Sequence, residues 1–234
     1  MVTMSLSLEP MTTLTSPPLS TLLERLFADA EASEADLRQQ IGNLSPEERA
    51  ARMRSMTDYR SYYTRAKDIY LAVSRETAVL LYMLARNARA RSIVEFGTSF
   101  GISTLHLAAA LKDNGGGRLI GSEFEPSKVV RARENIAAAG LCDFVEIREG
   151  DALETLARDL PESIDLVLLD GAKPLYPRVL ALLEPRLRAG ALILADNADM
   201  CPEYLAVVRA PGGGYLSVPF AEDVELSMRL AGPR

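Results

Sequence analysis

At 234 residues, 48% hydrophobic and 25% charged, the chain has room for one substantial α/β domain with added helices, and disordered or fibrous classes are excluded. A net charge of −6, with Lys and Arg scattered among acids, leaves no basic stripe for nucleic acid or an anionic membrane, so a small-molecule partner is expected. Cys142 and Cys201 are too few for a disulfide framework and lie in no Cys/His cluster, which suits a reducing, cytoplasmic setting; the apolar run near Ala78 to Ala85 is far shorter than the roughly 20 residues of a membrane span.

Residues 1–18 are rich in Ser, Thr, Met and Pro and read as a flexible arm, with no basic and apolar leader pattern. Residues 19–90 read as helices. Thr21-Leu22-Leu23-Glu24 fits a capping box, and Ser45-Pro46-Glu47-Glu48 adds Pro at a first helical position. Tyr59, Tyr62, Tyr63 and Tyr70 can line a pocket or simply pack. From about Ser74 to Asn87 a further helix carries Ala78, Leu81, Leu84 and Ala85 at helical spacing.

From residue 91 to 234 short apolar runs alternate with helical segments, the pattern of βαβ units in a parallel sheet. Strands are expected at 92–96, 118–122, 144–148, 165–169 and 191–195, with a helix opened by Pro126 and closed by Gly140. Two last runs, 215–219 and 224–230, flank a turn at Glu222-Asp223 and predict an antiparallel hairpin at the sheet edge.

Ligands of such sheets bind beyond the carboxyl ends of the strands. There the sequence offers Gly97, Glu123, Asp151, Asp170 and Asp196-Asn197 after successive strands. One acid after a strand is usually a turn residue; four in succession point to a site. The loop Gly97-Thr98-Ser99-Phe100-Gly101 lets backbone approach a ligand closely. It is neither the GxGxxG dinucleotide fingerprint nor a P-loop, which weakens an NAD-linked reading. Glu95 can accept hydrogen bonds from a ligand cation directly or through water. Glu123 can grip both ribose hydroxyls, and Asp151 with the Ala152 amide suits adenine.

At these residues the chain resembles the class I S-adenosylmethionine-dependent methyltransferases, and within them the cation-dependent, catechol-O-methyltransferase-like O-methyltransferases. The resemblance is carried by residues 94–104, Glu123, Gly150-Asp151-Ala152, Leu169-Asp170-Gly171-Ala172-Lys173 and Ala195-Asp196-Asn197. It implies a Rossmann-like fold with a mostly parallel seven-stranded sheet, a C-terminal antiparallel hairpin and extra N-terminal helices. It further implies S-adenosylmethionine held by Glu95, Gly97, Thr98, Ser99, Gly101, Ser103, Glu123, Asp151, Ala152 and Asp170. A divalent cation, usually magnesium, would be held by Asp170, Asp196 and Asn197, with Asp170 and Lys173 as catalytic residues. The acceptor would be a small hydroxylated, catechol-like aromatic, and the N-terminal helices would form a lid and a homodimer contact.

Two carboxylates and an amide oxygen are hard ligands suited to such a cation. Lys173 can act as a base if nearby positive charge lowers its pKa. Taken singly, Asp170-Gly171 is also a good turn, Asp196-Asn197 a good helix cap, and Lys173 an ordinary surface residue. No acid between Asn197 and the hairpin matches the one that holds the second catechol hydroxyl in mammalian relatives; Glu203, Glu222 and Asp223 remain open. A metal-free N- or carboxyl-methyltransferase, an NAD-linked oxidoreductase and a non-catalytic binding protein are the alternatives. The only histidine, His106, reads as helix packing.

Overall fold

The computed structural model describes residues 12–41, 45, 48, 59–221 and 223–231. Its seven strands are β1 Ser92–Phe96, β2 Arg118–Glu123, β3 Val145–Glu149, β4 Ile164–Leu169, β5 Leu187–Ala195, β6 Tyr215–Pro219 and β7 Glu225–Arg229. They lie in the order β3-β2-β1-β4-β5-β7-β6. The first five are parallel, and β7 runs antiparallel to both β5 and β6. This is the Rossmann-like sheet with the hairpin expected from the sequence. β1 and β4 are the apolar central strands, as a sheet covered on both faces requires.

One face is covered by α1 Leu19–Ile41, α3 Arg75–Asn87, α4 Ile102–Asp113 and α5 Pro126–Ala138. α4 is buried at every position from Ile102 to Leu111, as a helix apolar on all sides must be. His106 lies in it, its Nδ1 2.8 Å from the Ile102 carbonyl and its ring edge-on to Phe27, so it packs as expected. The other face is covered by α7 Tyr176–Leu183 and α8 Pro202–Val208. The short helices α2 Tyr59–Arg65 and α6 Ala152–Thr155 lie at the edge where the strands end.

The described helices between 19 and 90 pack into this core. Leu19, Leu22, Leu23, Leu26 and Phe27, at helical spacing on α1, are buried in one cluster with Leu105, Ala108 and Ala109 of α4. The capping box at Thr21 does not open α1. Leu19 is already helical, Thr21 and Glu24 are exposed, and the Ser20 and Leu22 amides donate to the Ser16 and Pro18 carbonyls, because the proline pair sets the helical start upstream. Residues 12–18 of the expected arm are ordered against the core: the Thr13 amide and hydroxyl both donate to the Asp113 carboxylate, at 3.1 and 2.5 Å. Residues 1–11 lie outside the described residues.

The second capping box is made in both directions. Ser45 N donates to Glu48 at 2.8 Å and Glu48 N to the Ser45 hydroxyl at 3.1 Å; residues 49–58 fall outside the described residues. Ser74 caps α3 by accepting from Thr77 N at 3.0 Å.

Asp165 registers three strands at their amino ends. One oxygen takes the Arg91 and Ser92 amides at 2.7 and 3.0 Å, and the other takes Arg188 at 2.5 Å. The hairpin is pinned by Glu225, whose buried carboxylate accepts two bonds from Arg209, at 2.8 and 2.6 Å, and one from Ser217. Among the described residues no helix is long and apolar enough to cross a membrane.

Candidate active site

The parallel strands end on one edge and bring Gly97, Glu123, Asp151, Asp170 and Asp196 there. The loop after β1 is a sharp turn: Gly97 has φ +99°, Ser99 φ +48° and Gly101 φ +89°. A Cβ on Gly97 would overlap the Asp170 carbonyl and approach Gly171 N at 2.7 Å, so the loops after β1 and β4 pass at backbone contact. Glu123 holds the first loop from β2, accepting from Ser99 N and Glu125 N, each at 2.8 Å. Gly97, Ser99, Glu123, Lys128, Asp151 and Asp170 line a common cleft, with Ala152 beside them. Thr98 and Ser103 line a small pocket behind the loop.

Glu95 is not on the cleft wall. It is fully buried, and its carboxylate accepts hydroxyl bonds from Ser103 at 2.6 Å, Thr98 at 3.0 Å and Thr104 at 2.5 Å. Through these bonds Glu95 ties the loop to the first turn of α4. Thr98 and Ser103 each spend a hydroxyl on it as well.

Burial raises the Glu95 pKa to about 7, and the three hydroxyls only partly oppose this. The folded protein thus holds this proton more tightly than the unfolded chain. The resulting stabilisation is complete below about pH 4.5 and lost by about pH 7. Urea unfolding at pH 5 and pH 8 will show wild type losing about 3 kcal/mol relative to Glu95→Gln across that interval. Parallel pH curves would refute the assignment.

Asp151 caps α6, accepting from Leu153 N at 2.9 Å, while still lining the cleft. Beyond β4 and β5 the groups are tightly knit. Lys173 Nζ donates to Asp170 Oδ1 at 3.0 Å and to the Tyr176 hydroxyl at 2.9 Å, and that hydroxyl donates to the Asp196 carbonyl at 2.8 Å. The Asp170 and Asp196 carboxyls are close enough to perturb each other's ionisation. Burial raises the pKa of both. Asp196 reaches about 8, helped by the neighbouring charge of Asp170.

Burial disfavours the Lys173 ammonium, but the negative charge around it prevails and its pKa lies well above the usual lysine range. The positive neighbour that a basic Lys173 requires is thus not supplied by the surrounding side chains, which are acidic. Tyr176, three residues after Lys173 and fully buried, was not singled out by the sequence; the i, i+3 spacing from Lys173 was its only signal.

Asn197, at φ +47°, donates from Nδ2 to Asp223 Oδ2 at 3.0 Å, leaving its amide oxygen as an acceptor. Asp170, Lys173, Asp196 and Asn197 line a second cavity together with Tyr63 and Tyr70. Tyr63 and Asp170 belong to both cavities, so the two adjoin at β4. Tyr70 both lines this cavity and packs on Phe100, with ring centroids 4.2 Å apart. Of the three acids left open, Asp223 is on the cavity wall, Glu203 is beside Cys201 and Glu222 is outside the described residues.

Among the described residues no three His, Cys, Asp or Glu side chains converge as a cation site. The set that could hold a cation is two carboxylates and an amide. Its chemistry fits a divalent ion: Asp170 and Asp196 are hard oxygen donors facing one cavity, with Lys173 paired to only one oxygen of Asp170.

A fold of this topology, with a glycine turn after β1 and acids after β2 to β5, defines the class I methyltransferases. The family described as "Methyltransferase domain" matches residues 94–198. A catechol O-methyltransferase of Niastella koreensis is 37% identical over 130 residues, 54% of this chain and 58% of that protein. A Mycobacterium bovis protein named as an O-methyltransferase is 32% identical over 164 residues, 69% of this chain and 67% of its own length. The O-methyltransferase TomG of Streptomyces achromogenes, solved with S-adenosylmethionine, superposes with a TM-score of 0.60 at 26% identity, covering 78% of this chain and 88% of TomG. The chain belongs to the O-methyltransferase family of the Mycobacterium bovis relative. Its matches to the first curated catechol O-methyltransferases span about three fifths of their length.

Proposed function

We propose that this chain transfers the methyl group of S-adenosylmethionine to a hydroxyl of a small, catechol-like aromatic acceptor with the help of a divalent cation, magnesium first. The observation that carries this reading is the pair of adjoining cavities that meet at Asp170, the first lined by cofactor-type groups and the second by carboxylates, an amide and a lysine. In this reading Gly97, Ser99, Gly101, Glu123, Asp151 and Ala152 hold the cofactor, and Glu95 with Thr98 and Ser103 keeps the loop in shape. Asp170, Asp196 and Asn197 would hold the cation, which would lower the pKa of a bound acceptor hydroxyl and fix its oxygen.

Lys173 Nζ, held between Asp170 and Tyr176, would carry the acceptor's proton when positive charge beside it lowers its pKa. Tyr176 fixes the position of that amine, and Tyr63 and Tyr70 on α2 and the following segment close over the acceptor. The N-terminal helices serve as lid and homodimer contact. One observation favours a second reading, a metal-free N- or carboxyl-methyltransferase: Lys173 already occupies one oxygen of Asp170, so the charges are partly balanced without a cation.

The full chain incubated with S-adenosylmethionine and a panel of catechols, with magnesium or with EDTA, separates the two. We expect methylated catechol by mass spectrometry, a fall of about 100-fold or more with EDTA and recovery with added magnesium. Turnover indifferent to EDTA would establish the metal-free reading instead.

A further inference from the structure

Lys128 stands on the first turns of α5, five residues after Glu123, and the functional reading above leaves it without a task. The residue is only 4% exposed, yet it lines the cleft. An ammonium group carries three donors and loses much hydration on burial, so it needs acceptors. Among the described residues it has one hydrogen-bond partner, the Ser99 hydroxyl at 3.3 Å, and the Phe100 ring, whose centroid is 5.3 Å from Nζ.

No described carboxylate comes within ion-pair distance of it, although several acids stand farther off. Glu123 directs one oxygen at Ser99 N and the other at Glu125 N, and Asp170 is bound to Lys173. Burial lowers the Lys128 pKa, and the more distant negative charge of Glu123 and Asp170 works against that shift. The lysine therefore faces the cleft as a buried cation whose donors are mostly unmet.

The ligand that this cleft is read to hold has a single anionic group, the α-carboxylate of its methionine part. Its ammonium neighbour needs the opposite charge, which Asp170, lining the same cleft, provides. We propose that Lys128 is the carboxylate-recognising residue of the cofactor site, acting with the Ser99 hydroxyl, so that Lys128 and Asp170 bracket the zwitterionic end of the cofactor. The inference rests on the S-adenosylmethionine reading and assigns a recognition residue within that site.

The test is calorimetric titration of the full chain with S-adenosylhomocysteine and with its decarboxylated analogue, which is identical except for the missing carboxylate. Wild type should prefer S-adenosylhomocysteine by about 10- to 100-fold, the range of a charge-assisted hydrogen bond. In Lys128→Met this preference should collapse towards unity, through weaker binding of S-adenosylhomocysteine alone, and Lys128→Arg should retain most of it.

A preference that survives in Lys128→Met, or a variant that weakens both ligands equally, overturns the proposal. Should Lys128→Met fail to fold, Lys128→Gln replaces it in the same comparison. Wild type that binds neither ligand refutes the cofactor reading itself, and Lys128 with it.

Discussion

Gly97→Ala will weaken cofactor binding by about 100-fold or more and strip the protein of about 3 kcal/mol of stability. Two independent effects add. The residue has φ +99°, a conformation that disfavours any Cβ by about 1–2 kcal/mol. A Cβ there would also collide with the carbonyl of Asp170, which is backbone and has no rotamer to yield. Relief requires the loops after β1 and β4 to separate, and those loops carry Ser99 and Asp170 on the two walls of the cleft. Urea unfolding should therefore register the loss, and S-adenosylhomocysteine affinity should fall by about 100-fold or more, since misplacement of about 1 Å has that effect in preorganised sites. Wild-type affinity in Gly97→Ala would mean that the loop does not bear on the ligand.

The second large effect belongs to Lys173→Met. It leaves Asp170 and Asp196 buried side by side without the cation that neutralises them. Breaking a buried pair in this way typically destabilises by about 3–5 kcal/mol. The sign of the pH dependence follows from Asp196, whose pKa rises from 3.8 to about 8 on folding. Stability from its proton is complete below about pH 3.8 and vanishes as pH passes 8, so the variant should approach wild type in acid and be weakest in alkali. Magnesium should raise the variant's unfolding midpoint at pH 8, because an ion that binds only the folded state stabilises it. Turnover should fall by about 100- to 10,000-fold, the contribution of one positioned proton carrier. A variant as stable as wild type at pH 8 would contradict the burial argument.

The sheet was legible because its strands are short apolar runs bounded by turn residues. β1 and β6 have the expected limits, and β2, β3, β4 and β7 depart from theirs by a residue or so. β5 begins four residues earlier than expected, at Leu187, since the register shift between Ile164 and Leu166 lets it pair where the apolar pattern is broken by Arg188 and Gly190. The N-terminus of α1 was misread because a Thr-x-x-Glu pattern lying inside a helix looks the same as a cap.

The strand-end acids were legible as a set, but the duty of each was not. Glu95 and Glu123 are both acids ending a strand, yet one faces three hydroxyls and the other two backbone amides. Only the turn through Gly101 brings Thr98, Ser103 and Thr104 onto Glu95. Lys128 was invisible for a similar reason: a lysine on a helix reads as solvated until its tip is found under Phe100.

The central claim, a built site for S-adenosylmethionine after β1, β2 and β4, is tested most directly by titrating the purified chain with S-adenosylhomocysteine in a calorimeter. We predict saturable binding of about one equivalent with a micromolar Kd. The absence of any binding heat, together with an unfolding midpoint unmoved by saturating S-adenosylhomocysteine, would contradict it.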